Sequence, residues 1–287
     1  MKCLFIFWFS FCLFSGLSAQ EESSKKALNK SRPKYFEIGL QNGYSYHRDL
    51  ATSPNFYRGY TSGINLHYHR FDALRERRFG FTYCSGNYRF SVLNESARSR
   101  FSTFQLDFEE LYQIKRFAKR KYQLKAGGKL IGNFNLRVNP ALQNASVGYE
   151  IVYNLMGSVQ LSRDVSRTEA KSAKFLWLIP YNWKPRKRLI SYQLNLGLIN
   201  ANVRNGYAYV NQRGVTNEFP LFADYRHNFF SGFRMNAVLR YTVYLKNDNA
   251  LRFSYLWDAY TTGGKVDQFE MANHLVGAAL LFDLSNW

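Results

Sequence analysis

Apolar and polar residues alternate one by one along this chain, over stretches far longer than the five or six residues typical of a soluble strand. In residues 149–162, Tyr149, Ile151, Tyr153, Leu155, Val159 and Leu161 share one face, and Glu150, Asn154, Ser158, Gln160 and Ser162 share the other. Residues 189–200 repeat the pattern, with Ile190, Tyr192, Leu194, Leu196 and Leu198 against Ser191, Gln193, Asn195 and Gly197. Successive side chains of a β-strand point to opposite faces, so a period of two specifies strand.

Ten such segments are expected, near 35–47, 57–70, 78–94, 99–113, 121–138, 149–162, 189–200, 232–246, 250–260 and 273–284. The third is the least regular, and Gly86 is the expected site of a bulge within it. The connection 163–188 is long enough to hold two further short strands around Phe175–Trp183, which makes twelve the alternative count.

Residues 1–19 read as a cleaved signal peptide: Lys2, an apolar run from Cys3 to Leu17, then Ser18–Ala19. Residues 20–34 lack periodicity and are expected to be a flexible N-terminal segment, leaving 35–287 as the folded unit. Beyond the leader the longest apolar run is Phe175–Pro180, too short for a spanning helix. Only Cys84 remains there, so no internal disulfide is expected, and Cys84 reads as a small apolar filler. Long two-sided strands behind a secretory leader, with 18% aromatic residues, specify an all-β fold. The architecture expected is a transmembrane antiparallel up-and-down β-barrel whose apolar face meets lipid. A soluble sandwich would need shorter strands at closer spacing.

The last segment alternates Val276, Leu280, Phe282 and Leu284 and the chain ends at Trp287. This resembles the C-terminal assembly signal of outer-membrane barrels, although Trp287 is out of step with Phe282 and Leu284. With the Ser-Ala-Gln leader end and the Lys-, Asn- and Tyr-rich composition, the chain is similar to small outer-membrane β-barrel proteins of the Bacteroidota type. The resemblance is to a class; it implies an outer-membrane location, with the termini on the periplasmic side, and names no functional family.

That orientation makes 48–56, 94–98, 139–148, 200–228 and 261–269 outer loops, and 71–77, 114–120, 163–188 and 246–249 periplasmic connections. The formal charge is +19, and segments 20–34, 70–78, 115–125 and 163–188 carry net +3, +2, +6 and +6, all on the periplasmic side. A basic rim is expected there, including Lys115, Arg116, Lys119, Arg120, Lys121, Lys184, Arg186, Lys187 and Arg188. Such a rim suits an acidic periplasmic protein or anionic headgroups. Nucleic acid is not an expected partner in this compartment.

Inward positions carry both signs: Glu37, Asp107, Glu109 and Asp258 against Lys125, Lys129, Arg234, Arg240 and Arg252, with Asp283 a further candidate. A barrel this narrow fills its interior with side chains. Buried ions must pair, so these residues are expected to plug the lumen, with Asp107 and Glu109 meeting Lys125 or Lys129 across neighbouring strands. His67 and His69 share one strand face, but without a third ligand in sight no metal or other cofactor is expected.

His227 and Ser231, with Asp224 nearby, are the best candidates for a hydrolase pair. Their spacing departs from the His-x-Ser arrangement of outer-membrane lipid hydrolases. No acidic pair at the barrel mouth suggests an omptin-like protease. Loop 200–228 is rich in Asn, Gly and aromatics, and Tyr207, Tyr209, Phe219 and Phe222 are candidate partner contacts. The expected role is non-enzymatic: an accessory or scaffold subunit of an envelope complex for outer-membrane protein assembly, export or transport. The partners are outer-membrane lipid and an envelope protein. The alternatives are a lipid hydrolase (phospholipase or lipid A deacylase-like) and a small passive channel.

Overall fold

The computed structural model describes residues 32–92, 95–117, 121–175, 179–205, 225–264 and 267–285. The expected leader and residues 20–31 lie outside them, as does Trp287.

The strands are β1 (Lys34–Asp49), β2 (Ser53–Phe71), β3 (Arg75–Val92), β4 (Glu95–Gln113), β5 (Tyr122–Val138), β6 (Val147–Asp164), β7 (Lys171–Phe175), β8 (Ile179–Trp183), β9 (Arg188–Asn205), β10 (Tyr225–Phe229), β11 (Phe233–Tyr244), β12 (Ala250–Thr262) and β13 (Phe269–Asp283). Ten of them form one closed antiparallel barrel in the order β1, β2, β3, β4, β5, β6, β9, β11, β12, β13. It closes where β13 pairs with β1, from Tyr35 opposite Asp283 to Asp49 opposite Phe269. Closure leaves no sheet edge to satisfy in lipid.

The wall is inside out relative to a soluble protein. Phe36, Ile38 and Leu40 of β1, Phe104, Leu106 and Phe108 of β4, and Leu155, Val159 and Leu161 of β6 are exposed on the outer face. Their alternates Glu37, Gln41, Asp107, Glu109, Asn154, Ser158 and Gln160 are buried inside. The same sorting runs round the barrel to Val276, Leu280 and Phe282 of β13. An apolar surface of this extent needs lipid to cover it. Among the described residues no helix is long and apolar enough to cross a membrane; the crossing is made by strands.

Three features differ from the sequence expectation. Connection 163–188 does hold two short strands, but β7 and β8 pair only with each other, so the barrel has ten strands rather than twelve. The β6–β9 ladder runs down to Asp164 and Leu189, and bonds from Val165 N–H to the Arg188 carbonyl and between Arg167 and Arg186 carry it further. The segment is thus a ribbon that continues two barrel strands and ends in the β7–β8 hairpin.

Gly86 is not bulged: Thr61, Gly86 and Phe101 lie in unbroken register. Its role is space, because a Cβ there would stand 2.8 Å from the Tyr88 ring and 2.7 Å from the Tyr60 carbonyl oxygen. The bulge lies instead in β9, where the pairing skips Leu198, so that Leu198 and Ile199 are both exposed and the inward set resumes at Asn200, Asn202 and Arg204. A second irregularity separates β10 from β11. Phe230 and Gly232 take positive φ (53° and 83°), and both strands pair with β9 on either side of it.

Two apolar clusters sit inside the lumen. The one at the end opposite the termini gathers Tyr57, Tyr88, Phe101, Val152, Tyr260, Phe269 and Met271. The one near the termini gathers Tyr35, Tyr244, Ala250, Ala279 and Leu281, with Phe71 and Leu189 against it.

Candidate functional site

Between the two apolar clusters the lumen is crossed by a charged network. Glu37 of β1 accepts from His67 Nδ1 (3.2 Å), His69 Nε2 (2.9 Å) and Arg252 Nη1 (2.5 Å). Arg78 of β3 stands 3.3 Å from both Asp107 and Glu109, and Lys129 Nζ is 3.9 Å from Asp107. Gln193 donates to Glu109 at 2.5 Å and accepts from Arg240 at 2.7 Å. Arg234, 1% exposed, grips Asp258 through Nε and Nη2 at 2.9 and 2.8 Å, donates to Asn154 and Gln105, and stacks over Tyr260. These groups come from β1–β6, β9, β11 and β12, so the network braces the barrel across its interior.

The nine inward ions expected from the sequence are all in the lumen, with partners only partly as expected. Lys129 meets Asp107, whereas Lys125 turns toward the end carrying the termini and pairs with Glu76 (3.4 Å) and the Asp72 carbonyl (2.7 Å). Arg240 takes amide oxygens of Gln160 and Gln193 rather than a carboxylate. Asp283 sits at the foot of the barrel, bonded to Ser285.

A third group lies at the end opposite the termini; alternation already puts its Glu150 on the polar face, whereas Asp49 and Arg204 fall in segments expected to be loops. Asp49 is held by Arg137 and by Arg204 (2.8 Å), Arg204 reaches Glu150 (3.5 Å), and Asn135 links Glu150 to Tyr260 at 2.9 and 3.0 Å. The signal for Arg204 was hidden by the β9 bulge, which shifts its parity. A cavity of about 110 Å³, bordered by Glu37, His67, Arg78, Asp107 and Lys129, is left in the middle of the lumen.

Glu37, His67 and His69 place ligand-type atoms within 4.8 Å of one another. The guanidinium of Arg252 occupies that corner, 2.5 Å from Glu37 and 3.4 Å from His69 Nε2. A metal ion there would have to displace a like charge, so the trio reads as an ion-pair cluster.

The candidate hydrolase pair is not assembled. His227 is exposed, opposite Val203, and Ser231 donates its hydroxyl to the Gly263 carbonyl at 2.9 Å. Asp224 lies outside the described residues, as do Tyr207, Tyr209, Phe219 and Phe222 of loop 200–228.

At the opposite end, Lys115, Arg116, Lys121, Lys184 and Lys187 are exposed and Arg186 is half-buried. Lys187 also caps the Tyr244 ring at 4.7 Å. Arg188 is buried and turned toward the lumen, and Lys119 and Arg120 lie outside the described residues. The basic rim is therefore concentrated on the β6–β9 ribbon and the β4–β5 connection. Below the apolar cluster near the termini a vestibule of about 370 Å³ opens at this end, bordered by Lys121, Lys125 and Lys187 with Asp72, Glu76 and Asp164.

A closed ladder, a filled polar interior and an apolar outer wall define a transmembrane β-barrel of the outer-membrane type. No protein-family model and no curated protein sequence matches the chain. Similar solved structures include the outer membrane protease OmpT from Escherichia coli (8% identity, 88% of this chain and 97% of that one, TM-score 0.49). The transport unit of the autotransporter AIDA-I from Escherichia coli is another (8% identity, 91% and 96%, TM-score 0.42). So is the translocator domain of the autotransporter NalP from Neisseria meningitidis (10% identity, 91% and 92%, TM-score 0.32). At these scores the likenesses add nothing on activity, and the class assignment rests on the ladder and the wall.

Proposed function

We propose that this protein is a non-enzymatic integral barrel of the outer membrane, in an envelope of the Bacteroidota type, acting as the scaffold subunit of an envelope complex. The reading is carried by the ribbon: the β6–β9 ladder leaves the barrel at the end bearing the termini and finishes in the β7–β8 hairpin, with Lys184, Arg186 and Lys187 along it. A two-stranded ribbon offers unpaired backbone edges and here a net positive charge, which together suit an acidic periplasmic protein. The plugged, ion-paired lumen supports a rigid anchor over a channel.

The test is purification of the tagged full-length protein from outer membranes in mild detergent, with co-purifying proteins read by mass spectrometry. A stoichiometric acidic partner is expected, and it should be lost from a variant in which residues 168–185 are replaced by a two-residue Asn-Gly turn. That variant should still shift on unheated gels as a folded barrel. Recovery of the wild-type protein alone, or undiminished partner capture by the shortened variant, would sink this reading.

A further inference from the structure

The geometry points to a binding site for a phosphate-bearing lipid of the outer leaflet on the outer wall of the barrel, formed by a ridge of arginines continuous with an apolar groove. The ridge is made of cross-strand neighbours. Arg58 of β2 lies opposite Arg89 of β3, which lies opposite Arg98 of β4, and Arg100 follows two residues along β4, opposite Asn87. All four are exposed on the lipid-facing parity, and among the described residues none has an acidic partner. Like charges directly opposite on neighbouring strands repel. Three in one register row form an arrangement that an anion would relieve, and arginine's planar fork suits phosphate oxygens.

The same row supplies the second half of the site. Traced the other way, Arg58 lies opposite Tyr46 of β1, Tyr46 opposite Ala272 of β13, Ala272 opposite Ala259 of β12, and Ala259 opposite Met235 of β11. Tyr46, Ala272, Ala259 and Met235, with Phe56 and Phe233, border a groove of about 370 Å³ on the outer wall. The two alanines make its floor low, and Phe56 and Phe233 stand beside it. The one acid in the groove, Glu270, is already neutralised by Arg48 at 2.8 Å, and Arg48 lies over the Phe56 ring at 4.3 Å.

Strand tilt orients the pair. A register row climbs as it crosses the strands: the row that starts at Leu251, at the foot of β12, passes Leu280, Ile38, Leu66, Phe81, Leu106, Gly132, Tyr153 and Ala201 and reaches Phe229, at the head of the barrel. The apolar half of the site is therefore the deeper half, and the arginines stand at the outer margin of the lipid-facing band. Headgroup phosphates and acyl chains stack in that order in a membrane. The matched order favours a lipid over a soluble anion or an acidic protein, neither of which would use the groove.

The experiment reads lipid retention by native mass spectrometry of the full-length protein released from detergent. The probes are bis-phosphorylated lipid A, its dephosphorylated form and phosphatidylcholine, with inorganic phosphate as competitor. Wild-type protein should retain bis-phosphorylated lipid A about 10-fold more than the dephosphorylated form. R58Q/R89Q/R98Q should lose that preference, R58K/R89K/R98K should keep part of it, and A259F/A272F should lower retention of both forms. Millimolar inorganic phosphate should not compete. If the triple Gln variant does not fold, as judged by its gel shift, R89Q at the centre of the row carries the same test. Equal retention of the two lipid A forms, or an undiminished preference in the Gln variant, overturns the site. Full displacement by inorganic phosphate would make it a soluble-anion site and overturn the lipid assignment.

Discussion

Arg234 and Asp258 illustrate what holds this interior in place. Both are buried, and the bidentate contact is reinforced by Asn154, Gln105 and the Tyr260 face. Such a pair is not in itself a large net source of stability, because desolvation offsets the attraction, but removal of one partner strands the other. Replacement of Arg234 by Met is expected to cost about 3–5 kcal/mol, and R234M/D258L should recover most of that. Urea unfolding in lipid vesicles measures both; a single variant within about 1 kcal/mol of wild type, at the level of exposed pairs, would show that the contact is not effectively buried. The pair was half legible beforehand. Alternation assigned both side chains to the lumen, but their pairing follows from the β11–β12 register, in which Asn236 rather than Arg234 is opposite Asp258.

Strand boundaries were legible to within a few residues for most of the barrel, because each turn interrupts a long alternating run. The exceptions are the places where the count breaks. The skipped Leu198 in β9 moves Asn200, Asn202 and Arg204 inward, and no composition cue marks it. The β10–β11 corner depends on Gly232, where φ is +83° and a Cβ would stand 2.0 Å from the Thr261 carbonyl oxygen. G232A is expected to free β10 from β9 while leaving the rest of the ladder intact, at a cost of roughly 1–3 kcal/mol for the backbone alone. Limited proteolysis of the protein in vesicles should then cut within 225–232, where the wild type resists. Equal resistance would show that the corner relaxes without losing its pairing.

Taken whole, the barrel is a wall around a layered filling: an apolar cluster at each end and a charged network between them. Planar-bilayer recordings in molar KCl should show no discrete conductance for the wild type. Removal of both clusters at once (Y88A, F101A, Y35A and Y244A) should allow small steps through the remaining ion-lined path. Steady wild-type conductance would contradict the filled lumen. The layering also explains why segment charge was an incomplete guide. Segment totals place nearly all the excess at one end, yet Glu37, Asp49, Asp107, Glu109, Glu150 and Asp258 point inward while Arg58, Arg89, Arg98 and Arg100 point out. The end opposite the termini therefore carries on its outer wall a basic ridge that a sum along the chain cancels.

The alternating pattern was enough to specify strands, which face meets lipid and the inward side of ions such as Glu37, Asp107, Glu109 and Arg234, because these depend on neighbours one and two residues apart; it left ten and twelve strands open, and the closed ladder decided for ten. It could not supply the aromatic clusters: Tyr57, Tyr88, Phe101 and Phe269 occupy inward positions, where apolar character reads as an error in the pattern. Nor could it choose partners. Glu37 meets Arg252 two strands away, Glu109 meets Gln193 three strands away, and the arginine ridge joins residues on three strands. Those meetings are set by closure, register and tilt, which arise only when every strand has found both neighbours, so they exist in the closed barrel and nowhere in the linear chain.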